Sequence, residues 1–126
     1  MKKEILTKEA PAPIGPYSQA IDAGSFIFCS GQIPLDPITG EVVGSGDVEA
    51  QAKQVMKNIS SVLKEAGASF NQVVKTTIFL KNMGDFPKVN PIYGEFFQAP
   101  YPARSTIEVA RLPKDVLVEI EVIVAR

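Results

Sequence analysis

The sequence contains no histidine and no tryptophan, and its 126 residues include a single cysteine, Cys29. One cysteine cannot close a disulfide within the chain. Without histidine there is neither a metal site of the usual Cys/His kind nor a Ser-His or Cys-His nucleophile pair. Any chemistry therefore falls to Arg, Glu, Asp, Lys, Tyr or backbone groups. An excess of charge of one sign is missing too: 13 basic and 14 acidic residues give a formal charge of -1 and a pI near 5.4. The basic residues are scattered, so no nucleic-acid partner is expected. No apolar run approaches the roughly 20 residues of a membrane helix, and the first residues, although basic, lack the apolar centre of a secretion signal. No membrane partner is expected, and the expected location is cytoplasmic. Neither a Walker A nor a GxGxxG pattern occurs, so no cofactor is expected.

What is present is an ordinary globular composition, 45% hydrophobic and 21% charged. The length suits one domain spanning residues 1–126, near the size at which self-association is a common way to bury more surface. Residues 10–16 (APAPIGP) read as a rigid loop. Residues 17–22 and 25–30 flank Ala23-Gly24 and predict a hairpin with Tyr17 opposite Ser30. One face of that hairpin carries Tyr17, Gln19, Ile21, Phe26, Phe28 and Ser30. Residues 31–40 are turn-rich and lead into a short extended piece at 41–43.

From Asp47 the apolar residues recur at helical spacing through Ala66, with Asp47 as N-cap and Gly67 as the stop. Residues 73–80 predict a strand. A weaker helix is predicted over 85–97 with Asp85 as its cap, and Pro91 places its true start near Asn90. Residues 105–111 and 116–124, joined by Leu112-Pro113-Lys114-Asp115, predict a hairpin. In that register Glu108 opposes Glu119 and Thr106 opposes Glu121. Arg104, Glu108, Glu119 and Glu121 then share a polar face, and Ile107, Val109, Val118, Ile120 and Val122 share an apolar face for the helices. Like charges facing each other need water, cations or a partner. From the pattern alone a solvated outer sheet face with weak ion pairs is the better account, since antiparallel sheets commonly wet one side. Taken singly, Tyr17 reads as a packing residue, Ser30 as a strand-end hydroxyl, Cys29 as a small buried hydrophobe and Asn90 as a helix cap.

Three stretches carry a resemblance: PIGPYSQA at 13–20, CSGQIP at 29–34, and PARSTIEV at 102–109 continuing through RLPKD to Glu119-Ile120-Glu121. Together they resemble the Rid (YjgF-type) enamine/imine deaminases over essentially the whole chain. The resemblance implies an α+β, chorismate-mutase-like fold, a mixed and mainly antiparallel sheet with two helices on one face. It also implies a homotrimer with sites between subunits. The implied reaction is cofactor-free hydrolysis of 2-aminoacrylate and related imines, made by pyridoxal-phosphate-dependent dehydratases, to 2-keto acids and ammonia. Carried over by motif, Arg104 binds the substrate carboxylate and Glu119 positions water. Tyr17, Ser30, Gly31, Asn90 and Thr106 match pocket positions, with Thr106 standing where many relatives have cysteine. No metal is implied. A non-catalytic keto-acid-binding regulator and an RNA-cleaving or translation-inhibiting protein remain as alternatives. In the predicted hairpin Arg104 lies roughly 13 Å along its strand from the partner of Glu119, at about 3.3 Å per residue. That distance favours a site completed by a second subunit.

Overall fold

The helix predicted after Asp47 forms as α1 (Val48–Glu65). The Asp47 carboxylate accepts hydrogen bonds from the Glu49 and Ala50 N–H groups, two of the donors a helix start otherwise leaves open. Gly67, at φ +70°, takes the left-handed conformation beyond the last turn. The structure, a computed structural model, describes residues 2–126.

The second helix, α2 (Phe86–Gly94), runs through Pro91, which corrects the expectation that it starts near Asn90. Asp85 makes no side-chain capping bond, and Asn90 is no cap either: it sits mid-helix with its side chain exposed. Proline at 91 removes only the bond to the carbonyl of Pro87. Both residues are exposed, so water can take that carbonyl.

Six strands form one sheet: β1 (Lys3–Ile5), β2 (Ala20–Asp22), β3 (Phe26–Cys29), β4 (Val73–Leu80), β5 (Ala103–Glu108) and β6 (Val118–Ala125). Their order is β1-β2-β3-β6-β4-β5. Only β4 and β5 are parallel, so the expected mixed, mainly antiparallel α+β architecture is present. The β2–β3 hairpin forms around Gly24-Ser25 rather than Ala23-Gly24, with Ala20 opposite Cys29 and the Ser30 N–H donating to the Gln19 carbonyl. Gln19 rather than Tyr17 thus stands opposite Ser30. A shift of two residues preserves which side chains share a face.

The predicted hairpin of β5 and β6 does not form. Strand β4 lies between them, pairing antiparallel with β6 and parallel with β5. Glu119 pairs with Phe79 and Glu108 with Leu80, so Glu108 and Glu119 are not partners. Since Phe79 and Leu80 are adjacent on β4, they and their partners point to opposite faces. Arg104, Thr106 and Glu108 therefore do not share the face of Glu119 and Glu121, and the roughly 13 Å separation inferred from the hairpin register loses its premise.

The helix-facing side of the sheet contributes Ala20, Ile27, Ile78, Leu80, Val118, Ile120, Val122 and Val124 to one continuous core with both helices. Ile107 is not part of it. Paired with Phe79, it lies on the opposite face, where Phe26, Phe28 and Ile107 are 45, 48 and 43% exposed.

Buried amides fasten the loops to this frame. Asn58, fully buried on α1, donates to the carbonyls of Ile33 and Leu35 at 3.2 and 3.0 Å. Gln51 accepts from the Leu117 N–H at 2.8 Å and donates to the Gly44 carbonyl at 3.0 Å. Gln19 accepts from the Thr7 N–H and donates to the carbonyls of Thr7, Ala10 and Pro11. Replacing Asn58 with Leu removes three side-chain hydrogen bonds, to the Ile33 and Leu35 carbonyls and to the Gln54 amide, each worth about 0.5–1.5 kcal/mol. Asn58→Leu is expected to lose about 2–3 kcal/mol in urea unfolding. Amide exchange should quicken in residues 31–36 before it does in α1.

Candidate functional site

The residues singled out in the sequence fall into two groups on opposite faces of the sheet. The first gathers Tyr17, Ser30, Gly31 and Glu119. Glu119 sits on β6, one of the two central strands of the sheet, with its side chain away from the helices. Gln32 pairs across to Ile120 through two backbone hydrogen bonds, which draws Gly31 up against the Glu119 carboxylate. The fit is so close that a Cβ on residue 31 would overlap that carboxylate. The Ser30 hydroxyl donates to the Ser18 carbonyl at 2.6 Å. Together with the Gln19 bonds to residues 7–11, this anchors both ends of the Pro-rich loop that ends at Tyr17. Tyr17, Ser30, Gly31, Ile33, Lys114 and Glu119 line a cavity of about 780 Å³ that also reaches the 35–40 loop.

Burial raises the pKa of Glu119 above its ordinary value, and the neighbouring Glu121 charge, two residues along the same face, adds to the rise. Cys29, by contrast, is inert: burial pushes its thiol up to about 12, far from a reactive thiolate.

The second group belongs to the edge strand β5. Arg104 pairs with Thr76 of β4 and reaches over the helix-facing side. Its Nη1 donates to Asn90 Oδ1 at 2.8 Å, and its Cζ lies 5.1 Å from the Phe86 ring centre and 5.0 Å from that of Tyr93. Thr106, two residues on, shares this face and is half-buried. Glu108 is turned to another task, accepting the Met83 N–H at 2.8 Å.

Within one chain the two groups cannot meet around a small molecule. Thr76 and Phe79, the β4 partners of Arg104 and Glu119, are three residues apart, about 10 Å along the strand, and β5 and β6 are two strand spacings apart, about another 10 Å. The sheet itself lies between them. Missing from the sequence reading were Phe86 and Tyr93 as neighbours of Arg104. Both carried the helical spacing of core residues, and that period conceals which member of the stripe meets a charge.

The raised pKa of Glu119 has a consequence for stability. The folded state holds this proton to a higher pH than the unfolded chain does, so the stabilising contribution is complete below the ordinary value of 4.5 and is lost as pH rises through the higher folded value. Glu119→Gln is therefore expected to melt at a higher temperature than the parent at pH 7, the advantage vanishing near pH 4. Gly31→Ala should push the carboxylate aside and lower any Glu119-dependent activity about 10-fold or more, while thermal melts show the chain still folded.

Residues 7–126 match the family described as endoribonuclease L-PSP. A RutC family protein of Pyrococcus horikoshii is 57% identical over 123 residues, 98% of this chain and 97% of the relative. A 2-iminobutanoate/2-iminopropanoate deaminase of Salmonella typhimurium is 51% identical over 129 residues, covering 100% of this chain and 99% of the relative. Among solved structures, Escherichia coli TdcF with bound serine superimposes with a TM-score of 0.93 at 46% identity over 98% of each chain. With the family matched from Thr7 to the last residue and the six-stranded fold shared, the chain belongs to the endoribonuclease L-PSP family, the Rid (YjgF-type) proteins that its three motifs resemble.

Proposed function

We propose that this chain hydrolyses 2-aminoacrylate, 2-iminopropanoate and 2-iminobutanoate to 2-keto acids and ammonia, in a cleft where Arg104 of one copy meets Tyr17, Ser30, Gly31 and Glu119 of another. The observation that carries this reading is the division of the site. One chain holds Arg104 on one sheet face and a cavity lined by Glu119 on the other, with half-exposed Phe26, Phe28 and Ile107 available to be covered by further copies. Association as a homotrimer would bury those rings and bring unlike halves together. The deaminase relative and the serine-bound neighbour support the substrate class, since serine, like an imino acid, presents an α-carboxylate.

In the proposed reaction the Arg104 guanidinium forks onto the substrate carboxylate through two charge-assisted hydrogen bonds, which orients the C=N carbon. On the protonated imine, Glu119 takes a proton from a water as its oxygen adds to that carbon, giving a neutral carbinolamine. It then returns the proton to the nitrogen and, as the C–N bond breaks, takes the hydroxyl proton so that the C=O forms; that proton passes to the departing ammonia as ammonium. Thus the C–O bond forms, the C–N bond breaks, and no oxidant, metal or cofactor enters the balance. A carboxylate made more basic by burial and by the neighbouring Glu121 charge suits the proton-accepting half of this exchange. Enamines join the same route once a solvent proton at the β-carbon converts them to the imine.

We place this activity in the cytoplasm, beside the dehydratases that would release its substrates. No helix among the described residues is long and apolar enough to cross a membrane.

The direct test couples the protein to a threonine or serine dehydratase and follows keto acid appearance. Acceleration over buffer is expected. Losing a pair of charged hydrogen bonds in Arg104→Ala should lower kcat/KM by at least about 100-fold. Glu119→Gln should lower kcat about 100-fold. Keto acid taken up stoichiometrically without acceleration would instead mark a binding regulator. RNA cleavage surviving Arg104→Ala in nuclease-free preparations would mark the ribonuclease named in the family description. A monomeric mass by light scattering at assay concentration would remove the shared cleft.

A further inference from the structure

Phe86, Asn90 and Tyr93 stand at positions i, i+4 and i+7 of α2, the spacing that places three side chains along one stripe of a helix. All three converge on the Arg104 guanidinium. Asn90 accepts from Nη1 at 2.8 Å, and the two ring centres lie 5.1 and 5.0 Å from Cζ, inside the range in which an aromatic face attracts a cation. The Tyr93 ring is itself fixed. It is 5% exposed, and its hydroxyl lies 2.7 Å from the hydroxyl of Thr76, which is fully buried and is the cross-strand partner of Arg104. The helix stripe and the neighbouring strand thus hold one ring from both ends, directly beside the arginine.

We infer that this stripe is an arginine cradle: Phe86 and Tyr93 are positioning residues that hold the Arg104 guanidinium in its binding orientation before any ligand arrives. The inference rests on the reading of Arg104 as the carboxylate receptor. Arginine on an exposed edge strand would otherwise sample many rotamers, and fixing them on binding would weaken affinity. With Nη1 committed to Asn90, the edge formed by Nε and Nη2 is left to fork onto a carboxylate. The cradle therefore sets which edge of the arginine faces the cleft, and with it the direction in which the rest of the substrate extends.

Phe86 is the informative position, since it is half-buried at the helix start and can be changed without opening the core. Two measurements apply to the full-length protein: affinity for 2-oxobutanoate, and the side-chain Nε–Hε resonance of Arg104 in NMR spectra. In Phe86→Leu the affinity is expected to fall about three- to tenfold, KM should rise with kcat little changed, and the ring-current shift of the Arg104 resonance should shrink. Phe86→Tyr should restore all three. Unchanged affinity in Phe86→Leu, or a loss that Phe86→Tyr does not recover, overturns the cradle. Should the parent protein take up no 2-oxobutanoate, the functional reading falls on its own, and the Arg104 resonance alone decides: a shift dependent on residue 86 supports the cradle, and an independent one overturns it.

Discussion

The pairing of β4 between β6 and β5 governs the arrangement of everything else in this chain. Because β4 takes Glu119 and Arg104 as partners of Phe79 and Thr76, an odd number of residues apart, the pleat sends the two to opposite faces. That single parity puts the guanidinium among the aromatic residues of α2 and the carboxylate in the cavity beside Gly31. It also leaves Ile107 outside the core. A direct β5–β6 hairpin would have placed the acids and the arginine on one wet face, separated only along the strands and not by the sheet. The inserted strand makes each chain half of two sites on the proposed reading.

Local signals in the sequence were sufficient for α1 and β4, though not for the start of α2 or the turn between β2 and β3. The α1 caps at Asp47 and Gly67, its apolar stripe and the limits of β4 follow from period and end chemistry. Strand pairing is nonlocal, and there period says only that two faces exist, not which strand lies next door. The loop from Leu112 to Asp115 looked like a hairpin connection, yet Lys114 and Asp115 take φ values of 56° and 55° in a short 3-10 turn. From it β6 runs antiparallel to β5 but one strand away. Assigning Ile107 to the core rested on its being apolar, although an outer face destined for contact is apolar too. Motif resemblance named the candidate site residues, but their division between faces was not legible, because parity depends on the intervening strand.

The polar residues hidden in apolar positions explain how a loop-rich site keeps its shape. Gln51 and Asn58 lie on the buried stripe of α1, where a helical period alone expects only apolar side chains. Each instead bonds loop backbone groups, the carbonyls of residues 33, 35 and 44 and the N–H of residue 117. Gln19 does the same for residues 7–11. No buried side-chain polar atom among the described residues is left without a partner. The cavity walls thus hang from the core by amide hydrogen bonds as well as by apolar packing at Leu35, an attachment that is directional as well as adhesive.

The two ends of the site face different physical demands, and their surroundings differ accordingly. A carboxylate receptor must stay charged and keep its direction. Arginine meets the first demand at any working pH, and the Phe86–Asn90–Tyr93 stripe meets the second without neutralising it, since rings and an amide oxygen attract a cation without bringing a counter-charge that would compete for the ligand. A carboxylate acting on water must be basic enough to take a proton and still able to pass it on. For this, partial burial next to a like charge at Glu121 is the suitable setting, and a nearby cation would spoil it by lowering the pKa again. Arg104 and Glu119 in one pocket of one chain would form a salt bridge and cancel both properties. On the proposed reading, separation across the sheet keeps the pair apart until assembly, and the substrate that lies between them in the shared cleft takes the place of that salt bridge.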